Sequence, residues 1–422
     1  MKKVLIIGQG GREHALAWKL KQSPEVTQVF VAPGNAGTAL EPGVTNIDIG
    51  ATDVSALLTF AQTQKIDLTI VGPEAPLAAG IVDTFQAHGL AIFGPTQKAA
   101  MLETSKVFSK TFMAKYHIPT ATFAHFDNAS AAKHYAHQHT LPLVVKASGL
   151  MAGKGVIICE TEEEAISAID ALLVDKGSEI VIETFLQGEE VSFIVLTDGV
   201  HIVPLATSQD HKRRDEGDKG PNTGGMGAYS PVSWVNPALE EKILNTVIKP
   251  ALNALAKENT PYCGFLYAGL MISPTGDIHV LEFNCRLGDP ETQALLPRLK
   301  TDLFALCWAA THSQLQDKCV EWDARAAVSV VLCASGYPGP VKSGDAIHHY
   351  TVYCDEAVKF FVSGAKNQEQ QLITSGGRVL CISALGQTVH EARARALYWA
   401  EQVNWPGKFY RKDIGWRAVA RE

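Results

Sequence analysis

Val280-Leu-Glu-Phe-Asn-Cys-Arg-Leu-Gly-Asp-Pro-Glu-Thr292 opens with the alternation of a strand, so residues two apart share a face. Glu282 and Asn284 therefore point the same way, with Arg286 just beyond. A carboxylate and an amide oxygen on one face suit a hard cation such as Mg2+, which usually arrives with phosphates. Burying Glu, Asn and Arg on one side of a strand is costly unless they face a charged ligand. The plainer alternative is a salt-bridged sheet edge. Upstream, Pro274-Thr-Gly-Asp277 is turn chemistry, so a hairpin of strands over 264–273 and 278–284 carries the pair.

Outward from this hairpin, strands are expected at 190–197 and 201–207 and a helix near 237–257. Residues 120–187 read as a compact α+β unit: strand, helix, strand over 143–146, glycine loop, strand over 156–159, helix over 162–174, strand over 179–183. A helical run over 98–116 precedes it, ended by Ile118-Pro-Thr120. Residues 1–100 alternate short apolar strands (4–7, 26–31, 67–71, 91–93) with amphipathic helices near 13–21, 53–64 and 77–88. That pattern predicts a parallel sheet covered on both faces, with ligands at the carboxyl ends of its strands. The last block, 326–422, offers strands at 327–334 and 378–385 and a helix near 388–402.

The 422 residues exceed one hydrophobic core, so two to four domains are expected. Net charge is −7, from 37 basic and 44 acidic residues, which argues against a general nucleic-acid binder. Eight dispersed cysteines form no C-x-x-C, so neither a zinc knuckle nor a disulfide framework is indicated. No stretch of about 18 apolar residues exists to span a membrane, and the N-terminus enters a strand with no signal-peptide pattern. A soluble, cytoplasmic protein is the expectation.

The punctuated sequences carry the chemistry. Gly8-x-Gly10-Gly11-x-Glu13 follows a strand and opens a helix, where free N–H groups attract anions. The dinucleotide fingerprint wants Gly at position 13, so a phosphate site fits better than a nicotinamide site, with a plain tight turn as the alternative. Ser148-Gly-Leu-Met-Ala-Gly-Lys-Gly155 has its glycines one residue too close for a P-loop, and Lys154 is followed by Gly. It suits a flexible hairpin loop folding over a triphosphate, with Gly153, Gly155 and backbone N–H groups against phosphate and Lys146 and Lys154 neutralising charge. Glu183-Thr-Phe-Leu-Gln-Gly-Glu-Glu190 joins two strands; its backbone could meet an adenine edge and Glu190 the ribose hydroxyls. The polar stretch Ser208–Arg214 and then Gly220-Pro-Asn-Thr-Gly-Gly-Met-Gly-Ala-Tyr229 reads as a long substrate-enclosing loop, or else as a solvated basic face. His134, His137 and His139 cluster without Cys or a paired carboxylate, which is a poor metal set. No G-x-S-x-G nucleophile elbow is present.

Together these segments resemble the glycinamide ribonucleotide synthetase family, the phosphoribosylamine–glycine ligases, which are ATP-grasp enzymes of purine biosynthesis. The resemblance runs over nearly the whole chain. It rests on Gly8–Ala15, Ala32-Pro-Gly-Asn-Ala-Gly-Thr38, Gly72-Pro-Glu-Ala-Pro-Leu77, Gly153-Lys-Gly155, Gln209-Asp-His-Lys-Arg213, Gly220–Tyr229, Glu282–Thr292 and Arg411-Lys-Asp-Ile-Gly-Trp-Arg417. Three positions in two segments depart from the family's common pattern: Ser148 and Met151 where Asp and Ala are usual, and Gln9 where Asn or Ser is usual.

The resemblance implies a multidomain α/β and α+β chain. It has an N-terminal parallel-sheet pre-ATP-grasp domain over 1–101, an ATP-grasp pair over 102–325 with a mobile lid at about 120–187, and a C-terminal α+β domain over 326–422. It implies ligation of glycine to 5-phosphoribosylamine, giving glycinamide ribonucleotide, ADP and phosphate through glycyl phosphate. On that basis Lys106, Lys146 and Lys154 are assigned to phosphates, and Glu183, Phe185, Leu186 and Glu190 to adenosine. Glu282 and Asn284 are assigned to Mg2+, with Mn2+ as a substitute. Arg286 is expected at the acyl phosphate or glycine carboxylate and Asp210 at an amine. Gly10, Asn35, Thr38, Glu74, Asn222 and Thr223 are the candidates for the substrate side. A monomer is expected, with a weak dimer as alternative. The rival readings are another ATP-grasp ligase, such as a formyl- or carboxyl-transferring relative, and a nucleotide-binding sensor.

Overall fold

The computed structural model describes residues 1–149, 155–174, 177–350 and 353–422, with the backbone alone for 353–355. At the N-terminus a five-stranded parallel sheet runs in the order Val44–Asn46, Val26–Pro33, Lys2–Gly8, Leu68–Val71, Ile92–Phe93. Its centre is fully buried at Val4, Leu5, Ile6 and Ile7, as a sheet covered on both faces requires. The strand ends bring Gly8–Gly11, Pro33–Thr38 and Gly72–Glu74 to one edge. The single helix expected near 77–88 is two, Glu74–Ala78 and Ile81–Ala87. Gly80 separates them at φ +77°, a left-handed conformation open to glycine and unsuited to a continuing helix.

Residues 123–184 form a four-stranded antiparallel sheet, ordered Phe123–Phe126, Ile180–Thr184, Leu143–Ala147, Val156–Cys159. The helices Ala129–Gln138 and Glu162–Leu172 pack on it. Ala132, Leu143, Val145, Cys159, Ile169 and Ile182 belong to a core of its own, separate from the main one. A unit that buries its own apolar surface can swing without unpacking its neighbours, which is the physical basis for a lid.

Between lid and C-terminus lies a four-stranded antiparallel sheet ordered Ile202–Pro204, Glu189–Thr197, Gly264–Ile272, Ile278–Asn284. The strand expected at 201–207 is thus only three residues long. The helix expected near 237–257 is interrupted by a π turn, Leu244–Ile248, between Pro237–Ile243 and Lys249–Lys257. Pro250 has no N–H to offer the carbonyl four residues back, so the ladder must widen or break there.

The C-terminal sheet has six antiparallel strands: Gln209–Asp210, Gly227–Ser230, Ala326–Cys333, Arg378–Gly386, Val358–Val362, Tyr353–Asp355. The helix Val389–Gln402 covers it. Its first two strands come from the polar stretch expected to be a long loop, which also contains the hairpin Arg213–Asp215 and Lys219–Asn222. A boundary at 325/326 therefore cuts through a sheet. Met226, Ala228 and Tyr229 are fully buried, so the glycine-rich stretch is held by packing rather than left open to solvent. No helix among the described residues is long and apolar enough to cross a membrane.

Candidate active site

A cavity of ≈ 700 Å3 opens where the lid, the central hairpin and both terminal domains converge. The alternation of Ile278–Asn284 delivers both Glu282 and Asn284 to its wall. Their cross-strand partners are Gly269 and Tyr267. Lys146 comes from the lid strand Leu143–Ala147, and Phe185, Leu186 and Glu190 from the linker and the strand it enters; all line the cavity. Lys106 and Lys110 lie one turn apart on the helix Lys106–Lys115, which Ser105 caps by accepting the Phe108 N–H at 3.1 Å.

Glu183 is the electrostatic pivot of the nucleotide half. It is buried at 2 % exposure and pairs with both Lys146 and Lys110. Burial pushes its carboxyl up, but the two ammonium groups outweigh burial and hold it below the ordinary value. Lys110 is drawn down to about 8, first by burial and then by Lys146, with Glu183 opposing. It also donates to Thr120 Oγ1 at 2.7 Å, and Lys146 donates to the Leu281 carbonyl at 3.2 Å. Lys106 is lowered chiefly by burial.

Glu282 is held down to about 2: burial opposes this, and the charges of Lys212, Lys106, Lys146 and Arg286 prevail. Lys212 Nζ sits 3.3 Å from Glu190 Oε2 and 3.7 Å from Glu282 Oε1. An ionised carboxylate beside the Asn284 amide oxygen is a pair of hard donors, which fits Mg2+ with the remaining positions left to phosphate and water. Among the described residues no cluster of three or more His, Cys, Asp and Glu offers a rival all-protein metal site. His134 and His137 are exposed on the lid, His137 pairing with Glu162 at 2.8 Å.

The acceptor half is carboxylate-rich. Arg286 Nε lies 3.2 Å from Glu74, while its Nη2 lies 2.6 Å from Glu103 and donates to Asn284 Oδ1 at 3.1 Å. Most of its donors are therefore already engaged, and it orients the Asn284 amide as well as facing the cavity. Asp210 lines the cavity with its carboxyl raised well above the ordinary range, by burial and by the nearby Glu291, Glu190 and Glu282 against Lys212. Glu291 is buried and accepts from Tyr267 Oη at 2.6 Å.

Glu74, Asn222 and Thr223 line the cavity, and Asn222 Nδ2 reaches the Val156 carbonyl of the lid at 3.4 Å. Gly10, Asn35 and Thr38 are not among the lining residues. Thr38 is fully buried, its Oγ1 within 2.7 Å of Asn46 Oδ1, and Asn35 Nδ2 donates to the Gln9 and Val362 carbonyls at 2.8 and 2.7 Å. Asn35 thereby ties its loop to the C-terminal sheet, and Thr38 ties the same loop to the neighbouring N-terminal strand, neither lining the cavity. Gly155 lines the cavity; Gly153 and Lys154 lie outside the described residues.

Reading the sequence alone missed Glu103, Lys110, Lys212, Asp289, Glu291 and Arg378, all of which line the cavity. One signal was available: Lys106 and Lys110 stand four apart on one face of the helix Lys106–Lys115, with Glu103 in the short helix just before it. Arg378, from a distant strand, had none.

Models of the phosphoribosylglycinamide synthetase family match this chain in three parts: the N domain over residues 2–103, the ATP-grasp (A) domain over 104–292 and the C domain over 327–417. The phosphoribosylamine–glycine ligase of Escherichia coli strain K12 is 55% identical over 426 residues, covering 100% of this chain and 99% of that protein. That of Vibrio cholerae is 53% identical, again over 100% of this chain and 99% of the relative. The crystal structure of the Thermotoga maritima phosphoribosylamine–glycine ligase superposes with TM-score 0.82 at 34% identity, covering 98% of this chain and 100% of that one. The biotin carboxylase domain of Hydrogenobacter thermophilus 2-oxoglutarate carboxylase, solved with MgADP, shares the fold at TM-score 0.76 and 16% identity, over 97% of this chain and 91% of that one.

Proposed function

This chain belongs to the phosphoribosylglycinamide synthetase family, and from that premise we propose how its cavity carries out the ligation. The activity is the ATP-dependent joining of glycine to 5-phosphoribosylamine, forming glycinamide ribonucleotide in purine biosynthesis. The route we propose runs through glycyl phosphate. A glycine carboxylate oxygen bonds to the γ-phosphorus as the bond to the β,γ-bridging oxygen breaks, and ADP leaves. The phosphoribosylamine nitrogen then attacks the acyl carbon, losing a proton as inorganic phosphate departs. Such chemistry needs positioning and charge neutralisation more than a protein nucleophile.

The observation that carries this reading is the ionised Glu282 set among Lys106, Lys146 and Lys212 on the wall it shares with Asn284. Lys106, Lys146 and Lys154 take the phosphates; Glu183, Phe185, Leu186 and Glu190 take adenosine. Glu282 and Asn284 would hold Mg2+, or Mn2+ in its place, which when bound supplies charge to the phosphates. Arg286, braced by Glu74 and Glu103, faces the glycine carboxylate, and Asp210 orients the attacking amine. Asn222, Thr223 and Glu74 border phosphoribosylamine, with Gly10, Asn35 and Thr38 shaping the loops behind. The protein works as a monomer in the cytoplasm.

The test is oxygen-18 transfer. Label placed in the glycine carboxylate is expected in the released phosphate, with ADP as the nucleotide product. Label in AMP means an adenylate route and removes the roles given to Glu282, Asn284 and Arg286.

A further inference from the structure

Asp289 is where the three parts of the chain meet. Its Oδ2 accepts the Arg12 N–H, at the start of the first N-terminal helix, at 3.3 Å. Its Oδ1 accepts from Gln293 at 2.8 Å, and its backbone carbonyl accepts from Arg378 Nη1 of the C-terminal sheet at 2.6 Å. The same Arg378 nitrogen donates to the Gly224 carbonyl at 2.7 Å and lies 3.5 Å from Asp289 Oδ1. Gly224 is held from its other side as well, since its N–H donates to Tyr337 Oη at 2.9 Å. Gly225 stands at φ +116°, and a Cβ there would fall 2.5 Å from Pro290 Cδ, so the loop is pressed directly onto the Asp289–Pro290 segment. Burial works against the Asp289 charge, but Arg378 and Arg12 hold its carboxyl below the ordinary value. Arg12, Gly224, Asp289 and Arg378 all line the cavity. None of these groups belongs to the lid or to the 183–190 linker, the parts that serve the nucleotide.

We propose that Arg378, paired with Asp289, is a positioning residue for the acceptor half of the cavity: it locks the Asn222–Gly225 loop in place, so that phosphoribosylamine depends on it and ATP does not. This rests on the ligase reading above. The C-terminal domain thereby does more than pack against the N-terminal sheet, because one guanidinium nitrogen bridges two carbonyls of segments that are 65 residues apart in the chain. Removing it leaves both carbonyls without that donor and takes one of two guanidinium charges from the Asp289 carboxylate, which keeps Gln293 and the Arg12 N–H, and a loop displaced by about 1 Å costs on the order of 10²-fold in a reaction that depends on alignment.

Steady-state kinetics of the full chain test this, with ADP release measured while ATP, glycine and freshly made phosphoribosylamine are varied in turn. Arg378→Met is expected to raise KM for phosphoribosylamine about tenfold or more, with KM for ATP and for glycine moving less than about twofold. Arg378→Lys keeps a donor for the two carbonyls and is expected to recover part of the loss. Tyr337→Phe removes only the hydroxyl that holds Gly224 and is expected to raise the same KM about threefold; it carries the test if Arg378→Met does not fold. Equal rises in all three KM values, or no change in a folded variant, overturn the positioning role. Wild-type protein is run alongside: no turnover there fails the ligase reading itself, whereas wild-type turnover with unselective variants fails only the role given to Arg378.

Discussion

Glu282→Gln separates charge from shape at the centre of the cavity. The carboxyl is held from an ordinary 4.5 down to about 2, a preference for the ionised form on the order of 3 kcal/mol. Because 36% of its side chain stays exposed to the cavity, solvent screening cuts that to about 2 kcal/mol. The same energy stabilises the cations around it. With glutamine in place, Lys106, Lys146 and Lys212 lose their common counter-charge and repel one another. Metal-free ATP then binds as tightly as before or tighter, since its phosphates relieve that repulsion. Turnover behaves oppositely: the metal loses its anionic ligand, and loss of such electrostatic stabilisation costs about 10²-fold or more in kcat. Calorimetric titration with ATP, with and without Mg2+, reads the first effect, and coupled ADP release over a Mg2+ series reads the second. Near-full turnover at saturating Mg2+ refutes the metal assignment. Weaker metal-free ATP binding refutes the account of the lysines.

Asp210→Asn is expected to remove an ionisation from the kcat/KM profile: since the carboxyl titrates well above the ordinary range, wild-type activity should rise with pH through that limb and the variant should be flat there. His14 is lowered by burial against the pull of Glu41, so its neutral form favours the fold; its contribution is complete above about pH 6.5 and is lost as pH falls below it, by up to about 1.4 kcal/mol per pH unit. Urea unfolding at stepped pH checks this, and His14→Gln should flatten part of the slope. Ile169→Ala, in the separate lid core, should cost about 2–5 kcal/mol of lid stability; hydrogen exchange should quicken across 123–184 and leave the N-terminal sheet protected. Addition of an ATP analogue with Mg2+ should slow exchange over residues 147–149 and 155–159 as the lid closes, and unchanged exchange there would falsify the lid's role.

The alternation at 282–284 was enough to put Glu282 and Asn284 on one face, because period-two geometry is local; the one-residue slip in hairpin register between Val280 and Glu282 lies before the pair and does not separate them. The alternating apolar strands and helices of the first hundred residues likewise announced a parallel sheet. The lid was legible because its four strands and two helices are contiguous in the chain. Only the tertiary structure decided the rest. Gln209–Asp210 and Gly227–Ser230 are two and four residues long, too short to carry a pattern. Gly227–Ser230 is a strand because Ala326–Cys333, about a hundred residues away, offers it an edge, and Gln209–Asp210 pairs with Gly227–Ser230 in turn. Asn35 and Thr38 were chosen for the substrate as polar residues at strand ends, yet their hydrogen bonds turn inward to brace the loops. Arg378 gave no sign, standing in an apolar strand far from every motif. Residues that meet only when separate domains close on one another leave no periodicity behind, since spacing along a chain records neighbours on one element and not partners across an interface.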